Sequence, residues 1–429
     1  MNGPPQERHR GVFAALVAAF FVDFLGYAFI VPILPSWQTQ FDLNATQATM
    51  LVSLWAVPLF LLGPFTGRLV DRYGPAKTIG TSLVFLSLSS MLYLVATPST
   101  IGRPFALLVL ARLLNGISGA AVMTEGLAGA SVLWPTNFGE QAGKLVGMAA
   151  IGGLLGPVLG GVLFNESETV AFVVLAVMPL LALPVLLLNA SALGPQPTIS
   201  PVNVDLSVFL SDPVLFRAGV LVALTTVATG ALEAGVPLFL DDELGLNPAQ
   251  IGGVLLSMVL MQGLGSVLWG RLVDRNGPTR YMMSGWALAV LSLVFVALAG
   301  WWFTGQTAVL AMIVLLGLFQ FSIAAAQIPM LPVIDTATHR ALGAGHLGLA
   351  FGAFGAAWGA GTIVGPLLIG PMFDLSGSWP LAIGALAIPT SVALWVTVRY
   401  RQDIESCYLE EMNRRTGLPM TTVLTQRED

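Results

Sequence analysis

Apolar runs of roughly 20 residues recur along almost the whole chain, each ended by a short polar stretch. A bilayer core about 30 Å thick takes that many residues as helix, so the pattern predicts membrane-spanning segments. The runs fall at 12–35, 46–66, 78–97, 105–130, 142–163 and 169–189, then at 214–240, 249–269, 280–302, 307–332, 346–371 and 380–400. The predicted fold is an all-α membrane protein of twelve transmembrane helices in two pseudo-symmetric six-helix bundles. The first bundle is residues 1–189. A polar linker with Pro195, Pro197 and Pro201 follows at 190–213, then the second bundle at 214–400 and a polar tail at 401–429.

Composition supports lipid as the solvent, with 55% hydrophobic and only 10% charged residues against about 25% charged in an ordinary soluble domain. The net charge of −5 says little about partners; where the cations sit says more. Arg8, Arg10, Arg68, Arg72, Lys77, Lys144, Arg217, Arg271, Arg275, Arg280 and Arg340 fall at the ends or in the even loops, while acids such as Asp42, Glu166, Glu168 and Asp241-Asp242-Glu243 fill the odd ones. Arg103 is the odd-loop exception. Positive charge stays on the cytoplasmic side, so both ends are expected there. The apolar run after Arg10 is too long for a signal peptide and lacks a small-residue cleavage site, so it reads as the first span. With short tails, the expected location is a bacterial inner membrane, the expected state a monomer, and nucleic acid is not an expected partner. The single cysteine, Cys407, excludes an intrachain disulfide framework.

One stretch occurs twice. Gly67-Arg68-Leu69-Val70-Asp71-Arg72-Tyr73-Gly74-Pro75 returns as Gly270-Arg271-Leu272-Val273-Asp274-Arg275-Asn276-Gly277-Pro278, identical but for one residue. Each copy lies between the second and third span of its bundle, the layout of a transporter built from two parallel repeats. Gly67, Asp71, Arg72 and Gly74 resemble the signature of the major facilitator superfamily. Arg112-Leu113-Leu114-Asn115-Gly116, with Gly119 and Ala120, is similar to that family's fourth-helix motif. Gly152, Gly153, Gly156-Pro157 and Gly160-Gly161 resemble the fifth-helix motif of its proton-driven antiporters. Asp23 ahead of Pro32-Ile33-Leu34-Pro35, and Leu232-Glu233 ahead of Pro237, look like the drug:proton antiporter branch and its vesicular amine transporter relatives. That resemblance implies a central cavity lined by helices one, four, seven and ten. One departure speaks against monoamines as substrate: no carboxylate occurs in Phe321–Pro329 or Ala350–Gly361, where vesicular monoamine transporters carry them.

An ionised carboxylate at mid-bilayer costs about 2.5 to 3.5 kcal/mol and needs a partner, a proton or a wet cavity. Asp23, Glu125 and Glu233 lie within the predicted spans and are candidates for proton coupling or substrate binding. Their alternatives are a structural hydrogen bond near the Pro32–Pro35 kink, a loop contact at the cytoplasmic mouth, and an acid snorkelling to the outer interface. Arg112 cannot shed its charge and must meet a carboxylate or backbone carbonyls; it reads as a proton-relay partner or as a packing residue. Asp71, Arg72, Asp274 and Arg275 read as gating residues, or as loops that fix topology. Gly152, Gly156, Pro157 and Gly160 allow close helix approach, with Gly359, Gly361, Gly365-Pro366 and Gly370 as a degenerate counterpart.

Candidate cavity residues are Tyr27, Trp55, Met258, Met261, Phe319, Phe321, Phe354 and Trp358, with Gln262, Gln320 and Gln327 as polar contacts. Acids beside aromatic faces favour a small organic cation or amphipath. No phosphate-binding loop, metal-ligand spacing or catalytic constellation is present, so no enzyme, metal or cofactor is expected, and the driving force is a proton gradient. The expected function is a proton-coupled antiporter exporting such compounds by alternating access. An uptake symporter for a metabolite, or a non-transporting receptor on the same scaffold, are the alternatives.

Overall fold

The computed structural model describes residues 5–73, 75–96, 104–133, 138–189, 211–342 and 347–416, and these are helical apart from short connecting turns. In chain order the helices are α1 (Pro5–Phe29), α2 (Leu34–Gln40), α3 (Ala45–Tyr73), α4 (Pro75–Ala96), α5 (Pro104–Leu133), α6 (Phe138–Glu166) and α7 (Glu168–Asn189). There follow α8 (Pro213–Leu244), α9 (Pro248–Asn276), α10 (Thr279–Trp302), α11 (Gly305–Gln327), α12 (Met330–Leu342), α13 (Leu347–Ser376), α14 (Trp379–Ala385), α15 (Ala387–Arg399) and α16 (Arg401–Thr416). Among the described residues, twelve segments are long and apolar enough to cross a membrane, in the places hydropathy predicts.

Prolines account for the interruptions. Pro32 has no N–H to donate, and the chain passes through a 3-10 turn, Val31–Ile33, before resuming as α2. The tenth span stops at Gln327, five residues before its predicted end, where Pro329 has no N–H to continue the helical ladder; α12 then starts as a separate helix. Pro389 removes a donor just past Leu386, where α14 gives way to α15. The tail, predicted only as polar, contains α16.

Two compact units emerge from the internal contacts: Met1–Val202 with Val236–Leu256, and Asn203–Gly235 with Ser257–Asp429. In the first, α1 packs along α6 and α7, and α5 against α3 and α4. Its backbones touch where side chains are smallest. A Cβ on Gly152 would strike the Phe21 carbonyl, one on Gly156 would sit 2.8 Å from the Leu25 carbonyl, and one on Gly160 would strike the Phe29 carbonyl. In the second unit, a Cβ on Gly361 would strike the Ala223 carbonyl and one on Gly365 the Val227 carbonyl, so α13 lies on α8 much as α6 lies on α1. The core of the first unit includes Val12, Leu16, Phe20, Ile79, Leu83 and Leu186, and beyond it Trp37, Tyr93 and Phe172 form a buried aromatic cluster.

The link between the first two spans is built alike in both bundles. Asp42 (φ 51°) and Gly245 (φ 63°) are left-handed, and Leu43 and Leu246 behind them are buried. Asn44 and Gln47 then exchange hydrogen bonds, with Gln47 N–H donating to Asn44 Oδ1 (2.8 Å) and Asn44 N–H to Gln47 Oε1 (3.1 Å). Asn247 and Gln250 repeat the exchange, both bonds at 3.0 Å. This is a reciprocal cap that satisfies two backbone donors at a helix start.

Candidate functional site

Asp23 lies near the middle of the long first span and is fully buried. Ser118 Oγ on α5 donates to its Oδ1 at 2.8 Å, while Oδ2 has no hydrogen-bond partner among the described residues. That second oxygen points to Gly119, where a Cβ would stand 3.1 Å from Oδ2 and 3.1 Å from the Trp55 ring. The missing side chain therefore leaves a space that the carboxylate and the indole both border. Tyr27, one turn along α1 from Asp23, lies against Trp55 with ring centroids 4.2 Å apart, and Phe24 meets the same indole edge-on at 6.0 Å. The result is one carboxylate with an unclaimed oxygen beside an aromatic wall.

Arg112 sits further along α5, also fully buried. Its Nε donates to the Leu51 carbonyl (2.7 Å), and Nη1 donates to the Tyr27 carbonyl (3.3 Å) and to Asn115 Oδ1 (3.1 Å). The Tyr27 carbonyl is in the last turn of α1, just before the Pro32 break, where helix carbonyls lack their usual donors. The guanidinium also stands 5.5 Å from the Tyr27 ring centre. Among the described residues its charge is met by carbonyls, an amide and an aromatic face, with no carboxylate in ion-pair range. Through these bonds Arg112 joins α1, α3 and α5.

The structure thus gathers Asp23, Tyr27, Trp55 and Arg112 in one unit. Ser118 was not singled out by sequence reading, although the 112, 115, 118, 119 spacing lays it on the face of α5 that carries Arg112 and Asn115. In the other unit, Glu233 is half-buried on α8, and Met258 and Phe319 are buried. Gln262 Nε2 lies 3.4 Å from Gln327 Oε1, and Trp269 Nε1 donates to the Phe321 carbonyl at 2.8 Å. Gln320 is buried on α11, and Trp358 and Phe354 are half-buried on α13. The side chains of Glu125, Asp71, Arg72, Asp274 and Arg275 lie outside the described residues. Among those described, no group of His, Cys, Asp or Glu could hold a metal ion.

The family model of the Major Facilitator Superfamily matches residues 16–341 and, a second time, 220–407. The chain belongs to this superfamily. Among its relatives, Multidrug resistance protein 2 of Bacillus subtilis is 25% identical over 92% of this chain and 97% of its own length. The quinolone resistance protein NorA of Staphylococcus aureus is 22% identical over 85% of this chain and 91% of its own. The synaptic vesicular amine transporter of Bos taurus matches a shorter stretch, 25% identical over 59% of this chain and 48% of its own length. A bacterial homologue of the human lysosomal transporter Spinster, solved inward-facing and occupied, has the same fold (TM-score 0.70, 14% identity, 96% of this chain and 98% of that one). The protein is accordingly an integral membrane transporter of the major facilitator type, handling small molecules and carrying out no enzymatic reaction.

Proposed function

We propose that this transporter is a proton-coupled antiporter that exports small organic compounds, cationic or amphipathic, by alternating access. The observation that carries the reading is Asp23 Oδ2, a buried carboxylate oxygen without a partner, facing the Trp55 indole across Gly119. A carboxylate left this way is costly, by about 1–3 kcal/mol for one unmet polar group, and either a proton or an organic cation delivered to Oδ2 relieves it. The two occupants then exclude each other, which is the requirement for exchange. The adjoining aromatic faces of Trp55 and Tyr27 suit an organic cation better than a hydrated metal ion. Relatives named for multidrug and quinolone resistance support a drug-type substrate.

In this reading Glu233 is a second proton or substrate site and Glu125 an assistant, while Arg112 holds the pocket's helices in register and supports proton movement. Asp71-Arg72 and Asp274-Arg275 act as gates at the cytoplasmic edge of an inner membrane, with both chain ends on that side. Binding in detergent tests it: fluorescent organic cations such as ethidium are added to unbuffered protein and the released protons are counted. Native protein is expected to release protons, and Asp23→Asn and Glu233→Gln to release fewer or none. Cation binding without release, or transport in proteoliposomes that ignores an imposed pH gradient, overturns the proposal.

A further inference from the structure

The tail helix α16 carries chemistry that the Asp23 site does not use. The chain leaves the last span at Arg399 and turns at Tyr400 into α16. Ile404, Cys407, Tyr408 and Leu409 are buried, whereas Arg401 and Gln402 are exposed, so the helix lies down with its apolar side covered. It packs mainly on α12, with lesser contacts to α10 and α15.

Two polar clasps hold it. At one, Arg217 in the first turns of α8 bonds Asp403 at 2.7 Å, and its guanidinium carbon stands over the Tyr400 ring, 3.7 Å from the centre. At the other, Arg340 near the end of α12 grips Glu410 through Nε (2.7 Å) and Nη2, while its Nη1 lies 3.1 Å from Cys407 Sγ. Asp403, Cys407 and Glu410 follow the i, i+4, i+7 spacing of one helix face, so a single rigid element carries both clasps. Asp212 completes the arrangement: its Oδ1 accepts from the N–H groups of Val214 and Leu215 (2.9 Å each) and caps α8 beside the Arg217 clasp.

Both ion pairs are partly exposed, with side chains 31% and 47% accessible in one and 39% and 37% in the other. Such pairs contribute little singly and yield to salt. Among the described residues, the apolar face they close consists of Ile404, Cys407, Tyr408 and Leu409. A helix held this way opens locally without the bundle unfolding. We propose that α16 is a two-point latch that ties α8 to α12, that its two clasps open together, and that their opening lets the ends of these helices move independently. Because α8 carries Glu233, the latch governs a helix of the transport machinery whatever compound is carried.

Cys407 is the sole cysteine and fully buried at the second clasp, so it reports opening without any engineered label site. Full-length protein in proteoliposomes is reacted with a small maleimide, and its labelling rate is compared with that of the urea-denatured chain. The native protein is expected to label far more slowly than the denatured one. Arg217→Gln removes only the distant clasp and touches nothing at Cys407, yet it is expected to speed labelling about tenfold, with an unchanged melting temperature. About 1 M salt on the native protein is expected to act in the same direction, which keeps the test decisive if the variant fails to fold. Labelling of folded Arg217→Gln at the native rate, or of the native protein at the denatured rate, overturns the latch.

Discussion

Asp42 and Gly245 adopt the same left-handed backbone conformation, at φ 51° and 63°, in matching turns of the two bundles. They are separated in sequence by the same interval as Gly67 and Gly270, so the repeated nonapeptide and the repeated turn belong to one register. Only one of the two positions has the residue that fits this conformation without strain. Asp tolerates it through its short polar side chain, whereas a β-branched residue does not. Asp42→Val and Gly245→Val are each expected to lower stability by about 1–2 kcal/mol, and Asp42→Gly to be nearly neutral because glycine's greater unfolded-state entropy offsets the relief. Thermal unfolding in detergent reads both.

The reciprocal caps behind these turns give a second expectation. Asn44→Ala and Asn247→Ala each remove a side-chain acceptor from a helix start and are expected to cost about 1 kcal/mol. Unequal losses in thermal unfolding would mean that the two bundles do not share the stability of the turn.

Neighbouring glycines on α6 separate packing from composition. A Cβ on Gly152 has a backbone carbonyl in its way, and one on Gly153 meets nothing within 4 Å. Gly152→Ala is expected to reduce the yield of folded protein sharply, at a cost of about 2 kcal/mol or more, while Gly153→Ala is expected to be neutral or to stabilise by up to about 1 kcal/mol through helix propensity. Folded yield and melting temperature of the pair decide it.

At the pocket, Gly119→Val fills the space between Asp23 Oδ2 and Trp55. Cation-stimulated proton release is expected to disappear, as it would in Asp23→Asn, although every titratable group is retained. A Gly119→Val protein that folds and still releases protons would show that the cation binds elsewhere.

The tail helix has a pH signature. Burial pushes the Cys407 thiol above its ordinary value of 9.0; Arg340 pulls the other way, and the carboxylates of Glu410, Asp403 and Asp212 reinforce the rise. A group whose folded value is raised supports docking below its ordinary value and loses that support as pH climbs toward the folded one. The ratio of native to denatured maleimide labelling is therefore expected to be flat below pH 9.0 and to rise above it, by up to about tenfold per pH unit.

Hydropathy made the twelve spans legible because lipid imposes a length on every crossing helix. Asp23 and Arg112 were legible because a lone charge in such a run must be accounted for. The partners were not. Ser118 is one small hydroxyl among many, and only the meeting of α1 with α5 selects it. That Arg112 finds the Leu51 and Tyr27 carbonyls rather than an acid depends on how α1 and α3 meet α5, which leaves no mark in composition. Helix α16 escaped because its composition is polar and its clasp partners, Arg217 and Arg340, lie far away in the chain. The turn signal was present as Leu-Asn-x-x-Gln twice over, but its meaning depends on the positive φ before it.

The shared register also measures divergence. Carried forward by the interval that links Gly67 to Gly270, Asp23 falls on Thr226, which is buried on α8 with its hydroxyl turned back to the Val222 and Ala223 carbonyls. The duplicated halves kept their turns, their caps and their glycine seams, yet only one kept an acid at this depth. Symmetry here belongs to the scaffold, and the buried charge at this depth to one copy.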